Sequence, residues 1–277
     1  MNKYFLYVIL LAYFGATALW LGFFLAQRES LYRAGVWVLA GGLGCHTLEL
    51  IYRTWAAGYL PVATLGQTLL VSAWALTVAF FLLNWRFPIK VLGALAAPLA
   101  ALMVSGALIL PQGQGSLSPS LQNLWLAVHI CLALLGNATL TLAFLGGIFY
   151  LVQERQLKAK KFGFFYRRLP SLEQLDALNY WCLTIGFPLL TGGIISGSLY
   201  AQHALGSFWR WDPKEVLTLF AWLIYAILLH ERLMVGWRGR RAALLAICGF
   251  LVLLATFIGA NLWFSGYHSF ANFMKQP

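Results

Sequence analysis

Ten residues between two long apolar stretches, Gly206-Ser207-Phe208-Trp209-Arg210-Trp211-Asp212-Pro213-Lys214-Glu215, hold two tryptophans, two cations and a helix-start signal. At a membrane surface that set suits a flat, apolar ligand with charged edges. Porphyrin has this shape. Indole planes can cover the ring, while Arg210 and Lys214 can hold its propionates, the arginine through two hydrogen bonds at once. Asp212 at the N-cap, Pro213 at N1 and Glu215 at N3 also read as a helix start with a capping box. Asp212 is therefore a cap first and a ligand-site residue second. Tryptophan is common in interfacial belts. Trp209 and Trp211, however, alternate in a short non-helical stretch beside Arg210, a register that a belt does not need.

The chain has five histidines. His129 falls in the first turns of a predicted helix and His268 just past the last one, both at the end of the molecule that carries the tryptophan loop. Two imidazoles flanking an aromatic platform can supply both axial ligands to a haem iron. The plainer role for either is that of an interfacial polar residue. His230 is the lone histidine in the span that begins inside the tryptophan motif. A histidine at membrane depth is a functional candidate, so His230 marks a second, inner haem-iron site. Its fellow ligand would be His46 or an imidazole from a partner. Glu49 and Arg53 follow His46 at i+3 and i+7, on one helical face; a polar seam between helices explains that stripe equally well. Arg53 joins Arg210 and Lys214 as a cation for propionates, with lipid phosphates as the competing anion. Gly193 and Gly197 in the preceding span make a small-xxx-small face, a helix-packing device.

These residues need elements to hold them. The chain has 277 residues, of which 61% are hydrophobic and 10% charged, and a mean hydropathy of +0.76. That predicts an all-α, polytopic membrane bundle forming one integral membrane domain over 1–277. Eight spans fit: 3–26, 34–56, 64–85, 90–110, 122–152, 178–200, 215–234 and 243–265. The apolar N-terminus lacks a small-residue cleavage site and reads as a first membrane helix. Fourteen Lys and Arg fall in the loops around 27–33, 86–90, 153–168 and 231–241, against five on the other side: Lys3, Arg53, Arg210, Lys214 and Lys275. The positive-inside rule then puts both termini and the tryptophan loop, about 201–214, outside the cytoplasm. The net charge of +11 follows from those loops and does not imply nucleic acid as a partner. Cys45, Cys131, Cys182 and Cys248 all sit in apolar spans without metal-ligand spacing, and no Cys-x-x-Cys-His is present to bind haem covalently.

The motif resembles the tryptophan-rich WWD signature of haem-handling membrane proteins. Ala221-Trp222-Leu223-Ile224-Tyr225-Ala226-Ile227-Leu228-Leu229-His230 and Asn261-Leu262-Trp263-Phe264-Ser265-Gly266-Tyr267-His268-Ser269 are similar to the CcsA (ResC) branch of System II cytochrome c biogenesis. The resemblance covers roughly residues 45–270. It implies a protein that moves haem b to the outer face and presents it to apocytochrome c for thioether formation at Cys-x-x-Cys-His, as a possible cytochrome c synthase subunit. It implies a CcsB-like membrane subunit as partner, and a bacterial inner or thylakoid membrane as location. By motif position His129 and His268 match the family's outer haem ligands and His230 its transmembrane ligand, whose mate comes from the CcsB part. One departure stands out: the family usually has Trp immediately before the glycine that aligns with Gly206, and this chain has Leu205. A HemX-like haem-binding or regulatory protein that does not ligate cytochrome c is the alternative.

Overall fold

A computed structural model describes residues 3–110, 124–160 and 163–262. Among these, nine α-helices follow one another: α1 (Lys3–Ala26), α2 (Glu29–Ala57), α3 (Leu65–Arg86), α4 (Gly93–Ile109), α5 (Leu124–Lys158), α6 (Phe164–Arg168), α7 (Leu172–Leu205), α8 (Pro213–His230) and α9 (Arg240–Leu262). A 3-10 turn, Lys90–Leu92, leads into α4, and a π-helical turn, Glu231–Val235, extends α8. Eight of these stretches are long and apolar enough to cross a membrane, as the hydropathy pattern predicts.

Several helices outrun their apolar spans. α2 starts at Glu29 rather than 34, α5 continues to Lys158 rather than 152, and α7 covers Leu172–Leu205 rather than 178–200. The helix ends explain this. Ser171 and Gln174 form a capping box at the start of α7, satisfying backbone donors that would otherwise end the helix at the bilayer edge. Arg155 and Lys158 sit in the last turn of α5, where cations complement the helix dipole.

Lipid tails are as apolar as leucine, so close packing holds such a bundle together rather than hydrophobic expulsion. α1 buries Leu6, Ile9, Tyr13, Ala16, Trp20 and Phe23, a stripe with helical spacing. The indole of Trp20 lies against Gly35 of α2 and against Gly93 at the start of α4, with no space for a Cβ at Gly93. α4 answers with small residues, burying Ala94, Ala97, Ala100, Ala101 and Ala107. The most extensive packing joins α5 to α7. α9 packs on both α5 and α8, and α3 links the first four helices to α5.

All four basic loops meet at one rim. Lys90 pairs with Glu29 at 2.7 Å. Arg168 donates from Nε and Nη2 to the carbonyls of Phe24 and Leu25, closing the C-terminus of α1. Arg232 pairs with Asp176 of α7 at 2.6 Å. The tryptophan loop lies at the opposite rim, between the last residue of α7 and the first of α8.

Candidate functional site

The tryptophan loop is built from its two helix ends. α7 stops at Gly206, which adopts φ +72° as a left-handed cap with its N–H on the Gln202 carbonyl. Glycine takes that conformation without steric cost. α8 starts with the predicted capping box on Asp212 and Glu215, with Pro213 behind the cap. Asp212 Oδ1 accepts from Lys214 N–H at 2.9 Å. Glu215 does more than a capping box requires: its Oε2 accepts from Asp212 N–H at 3.3 Å and from Arg210 N–H at 2.9 Å. One carboxylate oxygen thus bridges the residues on both sides of Trp211.

Trp211 itself has φ +59°, a conformation that costs a bulky residue roughly 1–3 kcal/mol. The bridge over it supplies the restraint. The indole of Trp211 stands out of the structure, 76% exposed, in edge-to-face contact with Trp209 at 6.2 Å and 86°. The loop is an apolar, outward-facing aromatic corner with Arg210 exposed beside it. The residue types alone show neither the left-handed Trp211 nor the double use of Glu215. The Asp-Pro-x-Glu signal marks the helix start and is silent about the loop before it.

His129 lies in the second turn of α5, half-buried against α7. Its Nδ1 meets the Gly193 carbonyl at 2.7 Å. A carbonyl only accepts, so Nδ1 carries a proton and donates it. This is the arrangement in which metal-binding histidines are held, one nitrogen donating to a backbone carbonyl while the other faces the metal. The small-xxx-small face makes it possible. A Cβ at Gly197 would lie 2.7 Å from the imidazole, and one at Gly193 would lie 3.2 Å from the Ala133 backbone. The two glycines are therefore packing positions, as the sequence suggests: Gly193 admits the α5 backbone at Ala133, and Gly197 admits the imidazole of His129. Gly197 precedes Gly206 by nine residues, so the imidazole packs roughly 13 Å along α7 from the loop. His268 lies outside the described residues.

The other candidates are spread through the fold. His230 ends α8 and is exposed. The 18 residues of α8 set it roughly 27 Å from the tryptophan loop, at the basic rim. His46 is fully buried. Its Nδ1 bonds to the Tyr13 hydroxyl of α1 at 3.0 Å. It sits roughly 25 Å along α2 from the basic rim, and α2 packs on α1 and α3 while α8 packs on α9 and α7. Of the two mates expected for His230, His46 or a partner's imidazole, His46 does not meet it here: the two are separated in depth, and α2 and α8 are not among the closely packed helix pairs. Arg53 and Glu49 are both buried and share an ion pair of 2.7 Å. With Tyr13–His46 and the Trp74 Nε1–Thr47 Oγ1 bond at 2.9 Å, this is a polar seam joining α1, α2 and α3. Lys214 is partly buried at the first turn of α8.

A histidine tied through Nδ1 to a carbonyl, one exposed and one half-buried indole, and the cations beside them are groups that could hold a haem. The comparisons with known proteins point the same way. Residues 62–268 match the family described as Cytochrome C assembly protein. Relatives described as cytochrome c biogenesis protein CcsA include one from Synechococcus sp. (strain CC9902), 36% identical over 252 residues, covering 82% of this chain and 83% of that one. The Guillardia theta relative is 34% identical over 272 residues, 91% of this chain and 90% of its own. The Chlamydomonas reinhardtii relative is 38% identical over 235 residues, 82% of this chain and 65% of its own. Among solved structures, the cytochrome c heme lyase CcmF is similar in fold, with a TM-score of 0.63 at 17% identity over 91% of this chain; this chain spans 45% of its length. With this sequence similarity over most of its length, the chain belongs to the CcsA family of cytochrome c assembly proteins and has a role in cytochrome c maturation.

Proposed function

We propose that the protein takes up haem b near His230 at the basic, cytoplasmic rim, moves it to the outer rim, and presents it there to apocytochrome c. The observation that carries this reading is His129. Its Nδ1 donates to the Gly193 carbonyl, the kind of backbone bond that orients metal-binding histidines. His268 is the second outer ligand. Trp209 and Trp211 cover the ring, and Arg210 and Lys214 supply positive charge for the propionates, whereas Arg53 is buried and paired with Glu49 in the seam. In the attachment step each substrate thiol adds across a haem vinyl group: the C–S bond forms and the thiol proton goes to the other vinyl carbon. The protein's residues bind and orient haem for that addition.

His230 needs a second imidazole, and His46 is too far away to provide it. α8 leaves an apolar face open on the side of His230: Phe220, Leu223, Ile227 and Met234 are all exposed, within one helical quadrant of it. A CcsB-type transmembrane helix packed on this face would bring the missing ligand and close the site. The location that fits is a bacterial plasma or thylakoid membrane, with the tryptophan loop outside the cytoplasm.

The test is the optical spectrum of the protein purified after haem-replete expression. His129→Ala should lose the outer haem, keep the inner one, and regain the outer signal when imidazole fills the vacant axial position. His230→Ala should lower occupancy at both sites, because supply is cut upstream. Unchanged spectra in both variants would refute the reading.

A further inference from the structure

The ion pair two residues beyond His230 is built unlike the other charged contacts at the basic rim. Arg232 and Asp176 are nearly buried, with side-chain exposures of 6% and 16%, whereas Lys90 and Glu29 are 45% and 49% exposed. The contact is forked: Nη2 reaches Oδ2 at 2.6 Å and Nη1 reaches Oδ1 at 3.2 Å. Nη2 also donates to the Asp176 carbonyl at 3.1 Å. The guanidinium lies 5.0 Å from the Tyr180 ring centroid. Asp176 Oδ1 accepts a further bond from Gly239 N–H at 2.7 Å. A single carboxylate on α7 therefore holds the turn after α8 and the residue before α9.

What it holds is a π-helical turn. Residues Glu231–Val235 carry the wide backbone, and the turn closes with the N–H groups of Gly236 and Trp237 on the Glu231 carbonyl. π turns are rare, are less favourable than α-helix and occur often at functional sites. This one begins at the residue after His230. It closes α8 immediately after the imidazole, so what holds this turn also holds the end of the helix that carries His230. Surface ion pairs contribute little; a buried forked pair fixes geometry.

We propose that Asp176 and Arg232 are positioning residues for His230: their clamp keeps the π turn open and sets the imidazole where an iron ligand is needed. This inference rests on the reading of His230 as the inner haem ligand. The clamp would act as an outer-shell partner does in other metal sites, through orientation and without touching haem. The pair is consumed internally, so Arg232 is not a propionate ligand.

The experiment uses the full-length protein in detergent, with two readouts. Hydrogen–deuterium exchange without haem reports the turn. Haem titration with optical spectra reports the inner site. Asp176→Asn and Arg232→Met should speed exchange over 231–239 and weaken haem binding at the inner site by about tenfold or more, with free imidazole restoring the low-spin spectrum. The outer site, titrated with haem directly, should keep wild-type affinity. The reciprocal pair Asp176→Arg with Arg232→Asp should recover both signals in part. Faster exchange with unchanged inner-site affinity and spectrum would overturn the proposal, as would unchanged exchange. So would an equal loss of affinity at both sites, which marks general unfolding. His230→Ala separates the two levels of the argument. If it leaves inner haem intact, the underlying ligand assignment fails; if it removes inner haem while the clamp variants do not, only the clamp fails.

Discussion

At the rim that carries the tryptophan loop, single residues have unequal structural parts. Glu215 braces the tryptophan loop by accepting from the amides on either side of Trp211. Glu215→Ala should free that backbone, speed amide exchange over 206–215 and cost about 1 kcal/mol of stability, the usual value of a cap. Glu215→Gln keeps an acceptor oxygen and should stay close to wild type. Equal exchange in both variants would show that the brace is idle. His46 teaches a different lesson. Its placement with Glu49 and Arg53 on one helical face was legible from spacing, but spacing cannot distinguish a ligand from a seam. In the fold the ring is enclosed and bonded to Tyr13, within the seam between α1 and α2. His46→Ala should lower the thermal midpoint, since a buried hydroxyl loses its partner at a cost of about 1–3 kcal/mol, and leave the haem spectra unchanged. Lost inner haem in that variant would restore the ligand reading.

The helices were legible because each must satisfy its own backbone in lipid, and twenty apolar residues in a row announce that requirement. Their ends were less so. Capping and dipole effects at Ser171 and Lys158 lengthen α7 and α5 beyond the apolar stretch, and hydropathy does not register them. The contact between α5 and α7 was half visible. Gly193 and Gly197 signalled a close approach, but only the fold shows Ala133 meeting the first and His129 the second. Gly197→Val would drive a side chain into a ring 2.7 Å from even a Cβ. Such overpacking costs about 1–3 kcal/mol, and here it should also displace His129 from the Gly193 carbonyl. We expect weaker outer-site haem binding with the inner site preserved. An unaltered outer spectrum would separate the glycine face from the ligand.

Across the whole molecule the four basic loops gather at one rim and the tryptophan loop at the other, as the asymmetry of charge along the sequence requires. Reporter fusions at 160 and 238 should be active only as cytoplasmic reporters, and fusions at 206 only as exported ones; an active cytoplasmic reporter at 206 would invert the haem-presentation scheme. Which residues face each other across the bundle could not be read from the chain, because helix neighbours depend on contacts far apart in sequence; the separation of His46 from His230 is the clearest case. One feature links the two rims directly: a single uninterrupted helix, α8, runs from the tryptophan loop to His230. Such a rod works as a ruler with two scales, one of length and one of phase. Adding one residue within it lengthens the rod by about 1.5 Å but swings His230 by roughly 100° relative to the loop, whereas adding seven shifts it by about 10 Å and restores its bearing to within roughly 20°. Errors of phase and errors of reach between the rims are thereby separable within the same helix.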